Sequence, residues 1–455
     1  MFDFYYICSS HAKANAKVKK IQTLLVALGL LLLAPVQNVL AQDDDPLAGS
    51  AYSPYSLFGF GDMLRLGTSY NQSMGGIGIA DRNVRYINIL NPAAVTAREQ
   101  KSFMMDFGLE NRNTLYQSGT ARSANNTFNM HHIVATFPIA THSAFKVGVM
   151  PISSVAYDFQ SKENSDALLS EVGDIKYERT GRGGIYQAFL GAGVTLWHRL
   201  SLGAEAQYYF GKINRGSNAD FLSSASYRTL LTGWDYNISC FGGKVGLQYT
   251  QPLTNALSAV VGVTYDIATP LRGHETRYAI GEGSSKKDTV VFNKKSLSDY
   301  RIPAELGAGI TLRYADQWMI GFDYTRQDWR GVDFGGYPGV DFQTGVAQNF
   351  RAGLEFTPNR YDVRSGFGHF LRRLTYRGGA YRERSYLMLS GVPVASTGVT
   401  LGVGIPVFRY YNSINFGVEF GQRGTLKGNQ IRERYFLFNI SFNLHDIWFI
   451  KPLYN

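Results

Sequence analysis

The side chains best suited to chemistry are thinly spread in this chain. Of its eight histidines only His131 and His132 are adjacent. Neighbours on a strand point to opposite faces, so this pair is not expected to hold a metal from one wall. No HExxH zinc pattern or GxSxG nucleophile elbow occurs. The glycine-rich "GGIGIA" at 75–80 lacks phosphate-loop spacing and a following strand–helix unit, and "GQRGTLKG" at 421–428 lacks Walker spacing. Catalysis, a resident metal and a cofactor are therefore not expected. The cysteines, Cys8 and Cys240, leave no intrachain disulfide once the leader is removed. Two features ask for explanation. One is Pro151, set inside the alternating stretch "KVGVMPISSVAYDF" at 146–159. The other is a scatter of acids and arginines along alternating segments.

Those segments must position everything else. "GIYQAFLGAGVTLW" sets Tyr186, Ala188, Leu190, Ala192 and Val194 against Gln187, Phe189, Gly191, Gly193 and Thr195. Fourteen segments of this period are read: 101–117, 126–138, 143–159, 183–197, 199–212, 237–251, 256–269, 300–315, 317–330, 346–357, 373–386, 395–407, 411–423 and 432–444. Joins after even-numbered segments are tight, apart from the one near 358–372. Joins after odd-numbered segments, such as 160–182, 213–236, 270–299 and 331–345, read as long and polar. A soluble sandwich has no reason to sort loop length by strand parity. An outer-membrane barrel has, with short periplasmic turns, long external loops and an even strand count. Closure also satisfies backbone groups that hydrocarbon cannot. The expected fold is all-β, a 14-stranded antiparallel transmembrane β-barrel with an N-terminal hatch plugging the lumen.

The chain's ends suit export to the outer membrane. Lys13, Lys17, Lys19 and Lys20 precede an apolar run ending in "VLA" at 39–41. This predicts a cleaved signal peptide over 1–41, with a possible upstream extension before Lys13. Residues 1–41 carry four Lys and one Asp of the formal +10, so the remainder is near +7. Its basic residues are scattered, which does not argue for nucleic acid. Domains are placed at 42–97 (hatch), 98–447 (barrel) and 448–455 (short periplasmic tail), with Trp448 and Phe449 suiting an aromatic girdle.

Residues 42–97 are glycine-rich, poorly periodic and too apolar for an exposed tail. "MGGIGIA" followed by "NILNPAAV" resembles the N-terminal region of the FadL family of outer-membrane transporters for long-chain fatty acids and other hydrophobic compounds. "LEFTPNRY", "FGVEFGQRGT" and "NLHDIWFIK" are similar to a Bacteroidetes-like branch of it. The resemblance implies a hatch motif at Gly75, Gly76, Gly78, Asn91, Pro92 and Ala93, and transport of hydrophobic small molecules with lateral release into the bilayer. Some relatives serve secretion or surface assembly, so an accessory barrel is the alternative and a simple porin the next. Expected partners are outer-membrane lipid and lipopolysaccharide, a hydrophobic solute, and the barrel-assembly machinery during biogenesis; a monomer is expected.

Pro151 stands eight residues above the turn at 138–142, roughly 20 Å up a tilted strand and within the outer half of the apolar band. Its missing N–H must leave a carbonyl unpaired or force a bulge. The resemblance implies a kinked third strand with a lateral opening, and this is the third strand. Pro151, Ile152, Ser153 and Ser154 are expected to line it. On the lumen face, alternation puts Glu205, Asp266, Glu305, Asp323, Arg351, Glu355 and Glu419. They are expected to pair among themselves or with Arg65, Arg82 and Arg85 of the hatch.

Overall fold

The computed structural model describes residues 53–99, 101–163, 165–222, 228–282, 287–297, 300–334, 340–407, 412–428 and 430–447. The leader 1–41, the start of the hatch at 42–52 and the tail 448–455 lie outside these residues.

Fourteen antiparallel strands close into a barrel. They are β1 (Ser102–Ser118), β2 (Ala121–Ala140), β3 (Ser143–Lys162), β4 (Ile175–Leu196), β5 (Leu200–Phe221), β6 (Thr229–Pro252), β7 (Leu257–Asp266), β8 (Glu305–Tyr314), β9 (Trp318–Asp328), β10 (Val346–Phe356), β11 (Thr375–Leu389), β12 (Val392–Pro406), β13 (Ser413–Arg423) and β14 (Arg432–Ile447). β14 closes the cylinder by pairing with both β13 and β1, the latter from Ser102↔Ile447 to Gln117↔Arg432. The period of two decides the faces. On β4, Leu190, Ala192 and Val194 are exposed, while Gln187, Phe189, Gly191 and Gly193 are buried inside. Exposed Val147, Leu202, Val261, Ile320, Leu354 and Leu401 continue the outer apolar band around the wall. Apolar side chains on the convex side of a closed sheet are what a bilayer solvates.

Of two stretches expected as loops, 213–236 is largely strand, and 160–182 is strand at both ends around a short helix, α2 (Asp166–Val172). β3 runs to Lys162, β4 starts at Ile175, β5 runs to Phe221 and β6 starts at Thr229. Most of 213–236 and the ends of 160–182 are thus ladder, in which the buried–exposed alternation fades beyond Arg215 on β5 and before Tyr236 on β6. Within 270–299, Gly273–Glu282 and Lys287–Ser296 form a hairpin whose first arm pairs with upper β6.

Residues 53–99 fill the bore, with two short 3-10 turns (Pro54–Leu57 and Pro92–Thr96), a strand of two residues (Asp62–Met63, the hatch strand) and a short helix α1 (Ser69–Gln72). They fit because the wall offers glycine where their backbone arrives. A Cβ on Gly203 of β5 would lie 2.3 Å from the Pro92 carbonyl carbon, and one on Gly262 of β7 would lie 2.2 Å from the Ile79 oxygen. Gly353, Gly379 and Gly402 on β10, β11 and β12 meet residues 73–75 as closely. No other residue type admits backbone to such distances. Phe60 of the plug packs edge-on to Phe334 at 4.7 Å, and beside it Trp329 stacks on Tyr386 at 4.5 Å. These rings belong to a dry cluster with Tyr55, Phe58, Leu271 and Leu297.

Adjacent glycines on β11 test this packing. A Cβ on Gly379 meets Gly75 N at 2.2 Å, whereas one on Gly378 finds nothing nearer than 3.8 Å. Gly379→Val is expected to expel the hatch, leaving a heat-modifiable barrel whose residues 53–99 are cut by limited protease. Gly378→Val should resist like wild type; equal resistance of the two variants would refute the close fit.

Candidate functional site

The wall is interrupted between β2 and β3. Their ladder runs from Ala140↔Ser143 to Ile133↔Val149 and ends there. Beyond it β2 continues on β1 alone, while β3 continues on β4. Pro151 comes two residues after the last β2 pair. The β3–β4 register shifts between Pro151 and Ser153, so Ile152 is the extra residue of a bulge. The hatch takes the edge that β2 leaves. Asp62 pairs with Ser154 and Met63 with Ser153, the Leu64 N–H donates to the Ile152 carbonyl at 2.9 Å, and Ser153 Oγ donates to the Phe60 carbonyl at 2.5 Å. Ile152, Ser153 and Ser154 are buried against this strand. Pro151, Ile152, Ser153 and Ser154 therefore stand along a break that the plug fills. Backbone groups facing a membrane need such a substitute.

Ion pairs hold the substitute in place. Asp62 meets Arg423 of β13 at 2.6 Å, and that guanidinium lies 4.8 Å from the centre of the Tyr55 ring. Arg65 grips both oxygens of Glu419 at 2.9 and 3.0 Å, reaches Glu383 at 3.2 Å and lies over Tyr381 at 3.7 Å. Burial works against the Arg65 charge, but Glu383 and Glu419 hold its pKa well above the ordinary value. Ser53 Oγ donates to Glu433 at 2.8 Å. Two-pronged arginine pairs of this kind fix orientation as well as charge.

Deeper contacts tie the remaining hatch to the wall. Asp323 accepts from the Gly78 and Ile79 N–H groups at 2.6 and 2.8 Å. Glu355 is held by Arg377 at 3.1 Å and receives Asn83 Nδ2 at 3.3 Å. Asp81 pairs with Arg313 at 3.3 Å and accepts from the Tyr70 hydroxyl at 2.9 Å, and burial pushes its carboxyl above the usual range despite Arg313. Glu205 pairs with Lys146 at 2.8 Å, Asp266 with Lys244 at 3.0 Å and Arg351 with Glu383 at 2.9 Å. Glu305 lines a chamber of about 230 Å³ shared with Leu64, Leu66, Ile152, Trp329 and Tyr386, and with Arg65, Arg112, Lys244 and Arg351.

In the hatch motif, the Gly75 N–H donates to Thr400 Oγ1 at 2.8 Å, and Gly75 and Gly76 both have positive φ. Gly78 serves Asp323. Asn91 caps the turn begun by Pro92, its Oδ1 accepting from the Ala93 N–H at 3.0 Å while its Nδ2 donates to the Ile79 carbonyl at 2.8 Å.

Three expectations need correction. Arg82 reaches Ser201 and Gln248 rather than a wall carboxylate, and Arg85 reaches the Tyr361 hydroxyl at 3.1 Å. His131 and His132 do not point apart. A register shift leaves His131 as the extra residue between Gly108↔His132 and Leu109↔Met130, so both rings turn inward with their Nδ1 atoms 2.8 Å apart. The contacts form a one-way chain, because a carboxylate can only accept. Gln72 Nε2 donates to His131 Nε2 at 2.7 Å, His131 Nδ1 to His132 Nδ1, and His132 Nε2 to Asp106 at 2.9 Å. Sequence pattern also missed Asp62, Asp81, Lys146, Glu383, Arg423 and Glu433. Arg423 shares the parity of Glu419, so alternation could have found it. Asp62 and Asp81 sit in an aperiodic segment and carry no such signal.

A protein-family model described as BamG matches residues 20–455. No curated protein matches the chain. Among solved structures, the CymD monoaromatic hydrocarbon channel is similar at 17% identity, covering 83% of this chain and 97% of its own, with a TM-score of 0.54. The Ralstonia pickettii toluene transporter TbuX gives 17%, 84%, 98% and 0.53, and a Pseudomonas aeruginosa FadL homologue gives 11%, 85%, 100% and 0.52. At such identities the likeness establishes the fold.

The latch at Asp62 is testable by a double-mutant cycle. Arg423→Met strands a buried carboxylate, a loss of about 3–5 kcal/mol for a pair of this kind. It should accelerate proteolysis within 53–66, and Asp62→Asn added to it should restore most of the resistance. A single variant no more labile than the double would remove the pair from the latch.

Proposed function

The chain belongs to the BamG family, and on that premise we propose that it works in the outer membrane, passing hydrophobic compounds between its interior and the bilayer through the break between β2 and β3. The observation that carries this reading is the hatch strand seated where β2 should pair with β3. The relatives described as a hydrocarbon channel and a toluene transporter share the architecture and support it. The chamber adds detail. Leu64, Leu66, Ile152 and Trp329 suit an apolar solute, while the basic side chains Arg65, Lys244 and Arg351 are already engaged by Glu419, Asp266 and Glu383, so the anionic end of a long-chain fatty acid would bind by exchanging with one of these carboxylates. Withdrawal of the hatch strand would open the chamber sideways. The solute would then leave into acyl chains without exposing its apolar surface to water, at a saving of about 25 cal/mol per Å².

The family's name and the buried ion pairs of the plug favour a second reading, service beside the barrel-assembly machinery. There the barrel is a partner and its plug stays shut.

Residues 63 and 153 face each other across the seam, so Met63→Cys with Ser153→Cys would pin the hatch strand by a disulfide. In cells carrying only this variant, uptake of labelled oleate or toluene should drop several-fold when oxidised and recover on reduction. Unchanged uptake would rule out the seam as the route. Normal uptake in the deletion strain, with depleted outer-membrane barrels, would favour the second reading.

A further inference from the structure

The connections at the end of the barrel that holds the 140–143 turn are tight, except for residues 357–374 between β10 and β11. This segment is folded. The Asn359 N–H donates to the Arg372 carbonyl at 2.8 Å, and Asp362 is gripped by Arg364 at 3.0 Å and His369 at 2.8 Å. One side tucks beneath the plug, where Arg85 donates to Tyr361. The other carries a helix, α3 (Phe367–Arg373), in which no residue is buried.

The position of α3 points to what covers it. Tyr376, the second residue of β11, lies between inward-facing Thr375 and Arg377, so its ring is on the lipid side. Its hydroxyl donates to the Leu371 carbonyl at 3.1 Å, fastening the end of α3 to the outer rim. Trp318 and Phe356, neighbours on that rim, stack at 4.0 Å in the manner of an interfacial girdle. Phe367 and Leu371 are one helical turn apart and share a face, at 77% and 36% exposure. Arg372 beside them is exposed. The segment carries Arg360, Arg364, Arg372 and Arg373 against the single acid Asp362. Lone exposed apolar side chains are ordinary. A fastened apolar face that prolongs a lipid-facing girdle and ends in arginine is not.

We propose that α3 is an interfacial foot on periplasmic-leaflet phospholipid. Phe367 and Leu371 enter the boundary between headgroups and acyl chains, and Arg372 meets a lipid phosphate. Short amphipathic helices bind membranes through this combination of buried apolar area and basic charge. The proposal holds whatever the barrel transports.

The test is nitroxide accessibility in nanodiscs of phosphatidylethanolamine and phosphatidylglycerol, on the full barrel without native cysteines. Labels go at Phe367→Cys and, with Phe367 retained, at Leu371→Cys. Leu354→Cys on the outer wall and Thr425→Cys in an exposed turn serve as lipid and water references. The ratio of oxygen to nickel-chelate collisions at 367 and 371 should exceed that at 425 several-fold and approach that at 354. A ratio equal to the water reference would overturn the foot. So would shielding from both reagents, which would indicate a protein seated on α3.

Discussion

A cylinder of fourteen strands has a bore wider than its own side chains can fill, and whatever fills it must bring its peptide groups out of water. In this protein the filler is the chain's own beginning, so backbone meets wall directly. Each buried N–H, carbonyl and charge then requires a partner, on the plug or on the wall. Wall glycines let the hatch backbone approach, and wall carboxylates receive it. Asp323, with two hatch N–H groups on it, is the clearest case. A looser plug would leave these groups dry and unpaired, at a cost the fold could not bear more than a few times.

The same demand explains why the break beside Pro151 is not a hole. A strand whose ladder ends within the apolar band exposes backbone groups that lipid cannot satisfy. The hatch strand supplies them, and Asp62 and Arg65 tie it to β11 and β13. Removing either partner of a buried pair costs far more than removing both, so the closed state is sharply defined. The strand is also only two residues long, with few ladder hydrogen bonds of its own. Buried ion pairs therefore supply much of what holds this short strand beside β3.

Much of this architecture is legible in the order of residues. Strand parity needs only two neighbours to be read, so the side of the wall occupied by Glu355 or Leu190 follows from local pattern. The fourteen-strand count follows from repetition of that pattern. Legibility weakens where the environment changes. At the ends of 160–182 and over much of 213–236 the buried–exposed alternation fades, so strand resembles loop. At His131 a register shift against β1 turns two neighbours to one side. Such a shift belongs to the pairing of two strands, and neither strand alone records it.

The sequence by itself determined a closed antiparallel sheet in a membrane, a glycine-rich segment to fill it, and a proline where its third strand could not pair normally. These depend on hydrophobic period and backbone chemistry, which act over a few residues. Only the tertiary structure decided that Asp62 meets Arg423, that Arg65 meets Glu419, and that the hatch strand replaces β2 beside Ser153. The pairs of Asp62 with Arg423 and of Arg65 with Glu419 span more than 350 positions of chain. What selects each partner is the geometry of the closed bore, where a buried charge takes whichever opposite charge the finished barrel brings within reach.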